Sequence, residues 1–414
     1  MNNDIQIKKT ENVKGINIGD CLFFVTMVFV IGFPTPSIFK AISIVTFFVY
    51  TFCIQIIREK STGNFLQYFW AISFFVYCHL SERWSVFPKA MDEVITNVQW
   101  SMLLSVAIVN YIIINKLSVI EIAKRMAVVA CVFLLDVIIY GTFFESRLTL
   151  IIGGRLVNAN TFGQIAIGIG CFLFFWAKKD KWKNVFLIGG VVILLAISLL
   201  SGSRKTLFTF AIYVIFILFY EYPSKSPEKT LGKFLGIILV IGVSYLCIMN
   251  IDVLYDTIGS RIDSLFDFME GNETSDGSAK SRVLMIEKGL DMFMEKPLLG
   301  HGLNTFSYKT VFNTYAHNNF VEILANLGII GFLLYYVPLL IYFYRAYSNW
   351  KRKEDGSIVP LVIIFVFLLN DFANVSYFSI VSHCFLALAI GLCINNYKKA
   401  MPITKNSKGE QKIL

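Results

Sequence analysis

Charge is the scarcest commodity in this sequence. Only 16% of its 414 residues are Asp, Glu, Lys or Arg, against 56% that are hydrophobic. That balance excludes a cytosolic enzyme and a disordered chain, because so few charged side chains cannot cover the surface that 39 Phe and 19 Tyr would leave against water. Long polar connections are scarce too, and none forms a basic soluble domain. A nucleic-acid footprint is therefore excluded despite the net charge of +9. The eight cysteines all lie in or beside apolar runs, which argues against a secreted disulfide scaffold and against a zinc cluster.

What fills the sequence instead is a series of apolar runs near the 20 or so residues that a helix needs to cross a bilayer core. They recur at about 20–36, 38–57, 64–80, 94–114, 122–144, 158–177, 184–201, 206–222, 231–249, 327–347, 358–373 and 377–395. Because lipid offers the backbone no hydrogen-bond partners, each is expected to be helical along most of its length. The pattern predicts an all-α polytopic membrane protein of about 12 transmembrane helices, with 1–414 as a single integral membrane domain. Pro34 and Pro36 mark a tight hairpin between the first two spans, and Asn370, Asp371 and Asn374 a polar break between the last two. The first run has no small-residue cleavage site behind it and reads as an anchor.

Lys and Arg set the expected orientation, since they accumulate on the cytoplasmic side. Alternate connections carry them: Lys8, Lys9 and Lys14; Arg58 and Lys60; Lys116, Lys124 and Arg125; the run from Lys178 to Lys183; Lys225 to Lys233; Arg345 to Lys353; and the tail from Lys398. Both termini are thus expected in the cytoplasm, and the net charge is mainly a topology signal.

The opposite face carries the longest connection, residues 250–317 between the ninth and tenth spans. Leu254, Ile258, Ile262, Leu265 and Met269 recur there at helical spacing and predict an amphipathic helix in the membrane interface. After GNETSDGS, a second helix is predicted from about Ser281 to Lys296, stopped by Pro297 and followed by the glycine turn PLLGHG. Arg282 falls in its first turn, where the helix dipole disfavours a cation unless an anion lies nearby. A bound phosphate would account for it; so would pairing with one of the acids of the loop.

Arg204 sits in SGSRK, a connection so short that its guanidinium either snorkels to headgroups or points into a cavity between helices, where its fork suits phosphate. Arg147 and Arg155 flank ESRLTLIIGGRLVNAN and add cationic groups on the same face. His317, where the long loop re-enters the membrane, is either a general base or an interfacial cap acting with Asn318 and Asn319. His79, His301 and His383 read as structural. Asp136, Glu322 and Asp371 lie at membrane depth, as proton-carrying groups of a transporter or as counter-ions for the outward arginines.

The segments GGRLVNANTFG, SGSRK and SRVLMIEKGLDMFMEKPLLGHGLNTF, followed by AHNNFVEILANLGIIGF, resemble the O-antigen ligase and Wzy-type polysaccharide polymerase superfamily. The resemblance covers residues 153–163, 201–205 and 281–331 directly. It implies a bacterial cytoplasmic-membrane glycosyltransferase, multi-pass, moving glycan from an undecaprenyl-pyrophosphate-linked oligosaccharide to an acceptor hydroxyl on the outer face. Arg204, Arg282 and His317 match the catalytic positions, with Arg155, Asn160, Asn318 and Glu322 as substrate-binding candidates. Glu322 is also a reserve base or an orienting partner for His317. Lys205 departs from the family, which often has a small residue there, and a tryptophan common after the second helix's arginine is absent near Met285.

No cofactor is implied. No metal is expected either, because arginines supply the charge and no D-x-D motif faces outside. Other candidate partners are the bilayer, a chain-length regulator and a flippase of the same pathway. Polymerase is the leading activity. A ligase acting on a lipid or protein acceptor uses the same motifs, and a lipid-linked oligosaccharide flippase is the transporter alternative, although no internal repeat of the kind carriers show is visible.

Overall fold

The computed structural model of the chain describes residues 17–32, 37–58, 64–152, 155–221, 226–260, 262–264, 277–400, 404–405 and 411–412. Helices occupy the apolar runs. They are α1 (Ile18–Met27), α2 (Ser37–Arg58), α3 (Phe65–Leu80), α4 (Ile95–Asn115), α5 (Val119–Tyr140), α6 (Ala159–Lys179), α7 (Val185–Leu200), α8 (Arg204–Phe216) and α9 (Pro227–Asn250). Beyond the long connection and its helix α10 (Gly277–Glu295) come α11 (Asn319–Lys351), α12 (Ile358–Asn370) and α13 (Ile380–Ala400). Residues Ser37–Ile57, α4, α6, α9 and α11 are long and apolar enough to cross a bilayer, and shorter apolar helices include Val185–Leu200, Ile358–Asn370 and Ile380–Asn396. The protein is thus a helical, polytopic membrane protein.

Local chemistry explains where these helices begin. Ser118 and Glu121 form a capping box on α5, while the side chains of Asn158, Asn184 and Asn318 accept from backbone N–H groups in the first turns of α6, α7 and α11. Pro227 occupies the first turn of α9 behind its cap Ser226. Burial separates centre from periphery. Along α4, Leu104, Ala107, Ile108, Tyr111 and Ile112 are fully buried, and α13 is its principal neighbour. By contrast α9 leaves Leu231, Phe234, Leu239 and Leu246 more than half exposed, a surface that only lipid could cover without penalty.

Tertiary hydrogen bonds sort the connections onto two ends of the bundle. At one end Arg125 of α5 donates from Nη2 to Asp20 Oδ1 (2.7 Å) and from Nε to the Tyr111 hydroxyl (2.8 Å), and Asn395 donates to the carbonyl of Leu117 (2.9 Å). Lys179 and Asp355 pair at this end as well, at 2.5 Å. At the other end Arg147 reaches the carbonyl of Ser201, Thr257 that of Ser146, and Trp84 that of Leu299. The first group of segments is the one rich in Lys and Arg.

Three features depart from the sequence expectation. First, the chain is not wholly helical between α5 and α6, where β1 (Gly141–Phe144) and β2 (Arg147–Ile152) form an antiparallel hairpin that continues to β3 (Arg155–Leu156). Glu145 and Ser146 turn it with φ of 47° and 61°, and the run RLTLII, with β-branched Thr149, Ile151 and Ile152, is better suited to a strand than to extending α5. The fifth helix consequently stops at Tyr140. Second, α10 starts at Gly277, so Arg282 lies beyond the first turn and the dipole argument for it loses force. Third, the amphipathic stretch after Asn250 is a short helix, Asp252–Leu254, running into a wider π turn over Tyr255–Gly259. Leu265 and Met269 of that expectation lie outside the described residues, as do Pro34 and Pro36.

The glycine turn has a defined seat. Helix α11 starts at Asn319, earlier than the expected span, and breaks at Gly328, whose φ of 64° and ψ of −169° are not helical. Residues 297–302 dock on this break. Ile329 N–H donates to the carbonyl of Pro297 (2.8 Å), while His301 and Gly302 N–H donate to the carbonyls of Ala325 and Asn326 (3.1 and 2.7 Å). Backbone groups freed by the break are therefore satisfied by another piece of backbone. The approach admits no side chain: a Cβ on Gly300 would lie 2.4 Å from Asn326, and one on Gly328 would lie 2.3 Å from the carbonyl of Leu298. The Pro-Leu-x-Gly-x-Gly and Leu-Gly-x-x-Gly motifs are thus two halves of one contact.

Candidate functional site

At the hairpin end of the bundle lies a cavity of about 290 Å³, with Arg147, Asn160, Lys205, Arg282, Tyr315 and His317 in its wall. Elements far apart in the chain deliver these groups. Arg147 opens β2 and is held from two sides, its Nε donating to the carbonyl of Ser201 (2.8 Å) and its Nη2 to Asn160 Oδ1 (2.9 Å). Close packing at Gly202, which has φ of +63°, brings this guanidinium against the start of α8; a Cβ there would meet Thr257's carbonyl oxygen at 2.8 Å and Arg147 Nε at 3.1 Å. Lys205 stands in the first turn of α8 and Asn160 in that of α6. Two helix N-termini therefore open on the same space as three cations.

His317 reaches the cavity from a loop built for the purpose. Its own φ of +54° is left-handed, and its ring lies 4.4 Å from that of Tyr315, tilted by 55°. The fully buried Glu322 carboxylate anchors the loop, Oε2 accepting from the N–H of Ala316 (2.7 Å) and Oε1 from Asn326 Nδ2 (2.8 Å). Asn326 Oδ1 in turn accepts from the N–H of Phe306 (2.8 Å), so a single network ties down both sides of the loop. Asn319 clamps the neighbouring connection: its Oδ1 accepts from the N–H groups of Ser376 and Tyr377, and its Nδ2 donates to Asp371 Oδ2 (3.2 Å) and the Tyr336 hydroxyl.

The electrostatics follow from this crowding. Burial and the nearby Arg282 and Lys205 charges push the His317 imidazole down to about 4, so it is neutral at physiological pH. Burial together with Arg282 and Arg147 lowers the Lys205 ammonium to about 8. Among the described residues no carboxylate lines the cavity. The arrangement is suited to receiving an anion next to a neutral imidazole.

Of the residues singled out by the sequence, Arg147, Arg282, His317 and Asn160 share the cavity. Asn318 and Glu322 do not line it. Asn318 caps α11 by accepting from the N–H of Val321 (3.1 Å), and Glu322 faces the loop backbone behind His317. The backbone of Arg204 lies beside Lys205 at the start of α8 and that of Arg155 in β3, while their side chains lie outside the described residues. The expected counter-ion role of the deep acids is not what the described residues show. Asp371 accepts from Asn319 and Tyr336, Glu322 accepts from amides, and both carboxylate oxygens of buried Asp136 lack a hydrogen-bond partner. His301 is held at its ring by the carbonyl of Met292 (2.9 Å), and His383 by that of Ser379. Tyr315, Asn158 and Asn374 line the cavity and were not anticipated. For Asn158 the signal was available, as the amide residue just before an apolar helix.

Fold and site together define a multi-pass membrane protein with a cationic, histidine-bearing cavity at one end of its helix bundle. Residues 189–336 match the family model described as O-antigen ligase, a range that contains Lys205, Arg282, His317 and both glycine motifs. Over 334 residues the chain is 21% identical to the exopolysaccharide production protein ExoQ of Rhizobium meliloti (strain 1021), covering 74% of this chain and 71% of that protein. Both matches support the resemblance that its motifs carry to the O-antigen ligase and Wzy-type polymerase superfamily, and with it a polysaccharide-processing membrane protein.

Proposed function

We propose that this protein is a polysaccharide polymerase of the bacterial cytoplasmic membrane, transferring glycan from an undecaprenyl-pyrophosphate carrier to an acceptor sugar hydroxyl on the outer face. The observation that carries the reading is the convergence of Arg147, Lys205 and Arg282 on one cavity wall beside His317. In the reaction the acceptor oxygen attacks the anomeric carbon, and the bond from that carbon to the diphosphate oxygen breaks. The diphosphate leaves with the bonding electron pair. Negative charge therefore grows on the leaving group, where fixed guanidinium and ammonium groups and two helix N-termini stabilise it.

The acceptor proton goes to His317. Its depressed basicity keeps the ring neutral and ready, and a diphosphate placed beside Arg282 and Lys205 offsets the charges that depress it, so the ring gains basicity with substrate bound. Side chains supply the positive charge in this account, with no metal required. Glu322 is a positioning residue that acts through the backbone of Ala316, and Asn318 holds the helix on which the loop is mounted. Arg204 and Arg155 remain candidates for further phosphate contacts on their place in the chain. The Lys- and Arg-rich end of the bundle faces the cytoplasm, both termini included, which puts the cavity outside.

A ligase reading is favoured by the matched family's description, and ExoQ's name favours polymer production. Reconstitution with a labelled lipid-linked repeat unit separates the two. Lipid-linked products longer by whole repeats support the polymerase, and transfer solely to a different lipid or protein supports the ligase. Movement of the label across the bilayer without any new glycosidic bond would overturn both in favour of a flippase.

A further inference from the structure

Beside the cationic cavity, on the far side of Tyr315, lies a second and larger one of about 420 Å³. Its chemistry is different. Among the described residues neither Lys nor Arg lines it, and its single carboxylate, Glu93, is already engaged by the Tyr308 hydroxyl at 2.5 Å. The wall is rich in amides and hydroxyls, of which Asn97, Asn313 and Thr314 make no side-chain hydrogen bond within the described residues. Three aromatic rings, Tyr308, Tyr315 and Phe378, complete it.

Amides that both donate and accept match the hydroxyls of a sugar, and an aromatic face suits the apolar side of a pyranose ring. The volume falls within the range of small-molecule sites. An intermediate space of about 250 Å³, lined also by Lys40, lies between the two cavities and shares Tyr315, Thr161 and Asn374 with the cationic one and Tyr315, Asn97 and Phe378 with the larger one. A sugar seated against Tyr315 would thus direct a hydroxyl toward the His317 ring, 4.4 Å from that of Tyr315.

We infer that this second cavity, between the Pro88–Asn97 segment and the 304–315 loop, is the acceptor subsite and selects uncharged sugar residues. It rests on the glycan-transfer reading above and adds to it the place and class of the acceptor. An acidic sugar would face Glu93 with no Lys or Arg among the described residues of this cavity's wall, the nearest space with a cation being the adjoining one that Lys40 lines, whereas neutral rings gain the amides of Asn97 and Asn313.

The test uses the full-length protein in nanodiscs and, as probe, the oligosaccharide released by mild acid from the lipid-linked pool of the source strain. If that saccharide contains uronic acids, its carboxyl-reduced form is run alongside. The variant is Asn97→Ala with Asn313→Gly; glycine is chosen because Asn313 has φ of +51°, so the amide is removed without straining the backbone. Saturation-transfer NMR should show the probe bound to wild type and about tenfold or more weaker in the variant, with undecaprenyl diphosphate bound equally by both. Kinetically, acceptor KM should rise while kcat at saturating acceptor holds.

Unchanged probe affinity in a variant that elutes as wild type would overturn the subsite, as would equal binding of a uronate-bearing probe and its reduced form. If the probe binds in this amide-dependent way but no glycosidic bond is ever made, the subsite stands and the transferase reading fails. If transfer depends on Arg282 yet ignores Asn97 and Asn313, the transferase reading stands and the subsite fails.

Discussion

The two ends of this helix bundle treat arginine in opposite ways. At the end rich in Lys and Arg, Arg125 is met by Asp20 at 2.7 Å, by the Tyr111 hydroxyl and by the carbonyl of Glu121 (3.0 Å), so its charge is answered inside the protein. At the other end Arg147, Lys205 and Arg282 share a cavity whose described wall contains no carboxylate. Like charges held together cost free energy, and a fold retains such a cluster where a ligand later offsets the repulsion. A paired arginine is thus part of the scaffold, whereas under the proposed function the clustered cations meet the diphosphate of the donor.

That contrast can be broken or sharpened by experiment. The largest effect belongs to the proton acceptor: His317→Ala should lower kcat for glycan transfer by about 10²–10⁴-fold while leaving membrane abundance unchanged, measured with reconstituted protein and labelled lipid-linked substrate. Arg282→Ala should cost about 10²–10³-fold in kcat. A full-rate Arg282 variant would mean that the cluster does not stabilise the leaving group.

Lys205 offers a pH signature. It faces Arg147, Arg282 and His317, and its charge is lost as pH rises through about 8, so kcat/KM for the lipid-linked donor should fall by about tenfold or more on the alkaline side. In Lys205→Arg, whose guanidinium stays charged, that fall should vanish. An alkaline limb that persists in Lys205→Arg assigns it to another group. The smallest effect on chemistry is expected at the opposite end. Asp20→Asn should lower stability by about 2 kcal/mol, seen as an earlier thermal transition, with kcat per folded molecule unchanged. Loss of kcat there equal to that of Arg282→Ala would erase the distinction between the two ends.

Much of the fold was legible because hydropathy is a local property. Runs such as Ile95–Asn115 and Ala159–Lys179 are apolar along the chain whatever they pack against, and helix is the conformation lipid enforces on them. The hairpin at Gly141–Ile152 was missed for a related reason: its apolar residues extend the α5 pattern, and only the two positive-φ residues at Glu145 and Ser146 break it. Within the site, Arg282 and His317 stood out by motif, whereas Lys205 registered as a departure from the family and Arg147 as one cation among several. Glu322 illustrates the limit best. A buried acid one turn past a histidine suggests a base, yet whether its carboxylate turns toward the cavity or toward the backbone of Ala316 depends on how residues 303–318 close over the helix.

By itself the sequence determined a basic, multi-pass helical membrane protein, the side on which its Lys and Arg gather, and the superfamily that its glycine, arginine and histidine motifs resemble. Each of these follows from composition or from neighbours along the chain. Only the tertiary structure decided which cations meet, that PLLGHG seats on the break at Gly328, and that Tyr315 stands between a cationic cavity and an amide-lined one. Charge adds up in space and not along the chain, so a site assembled from β2, α6, α8, α10 and the loop before α11 exists only once those helices have packed.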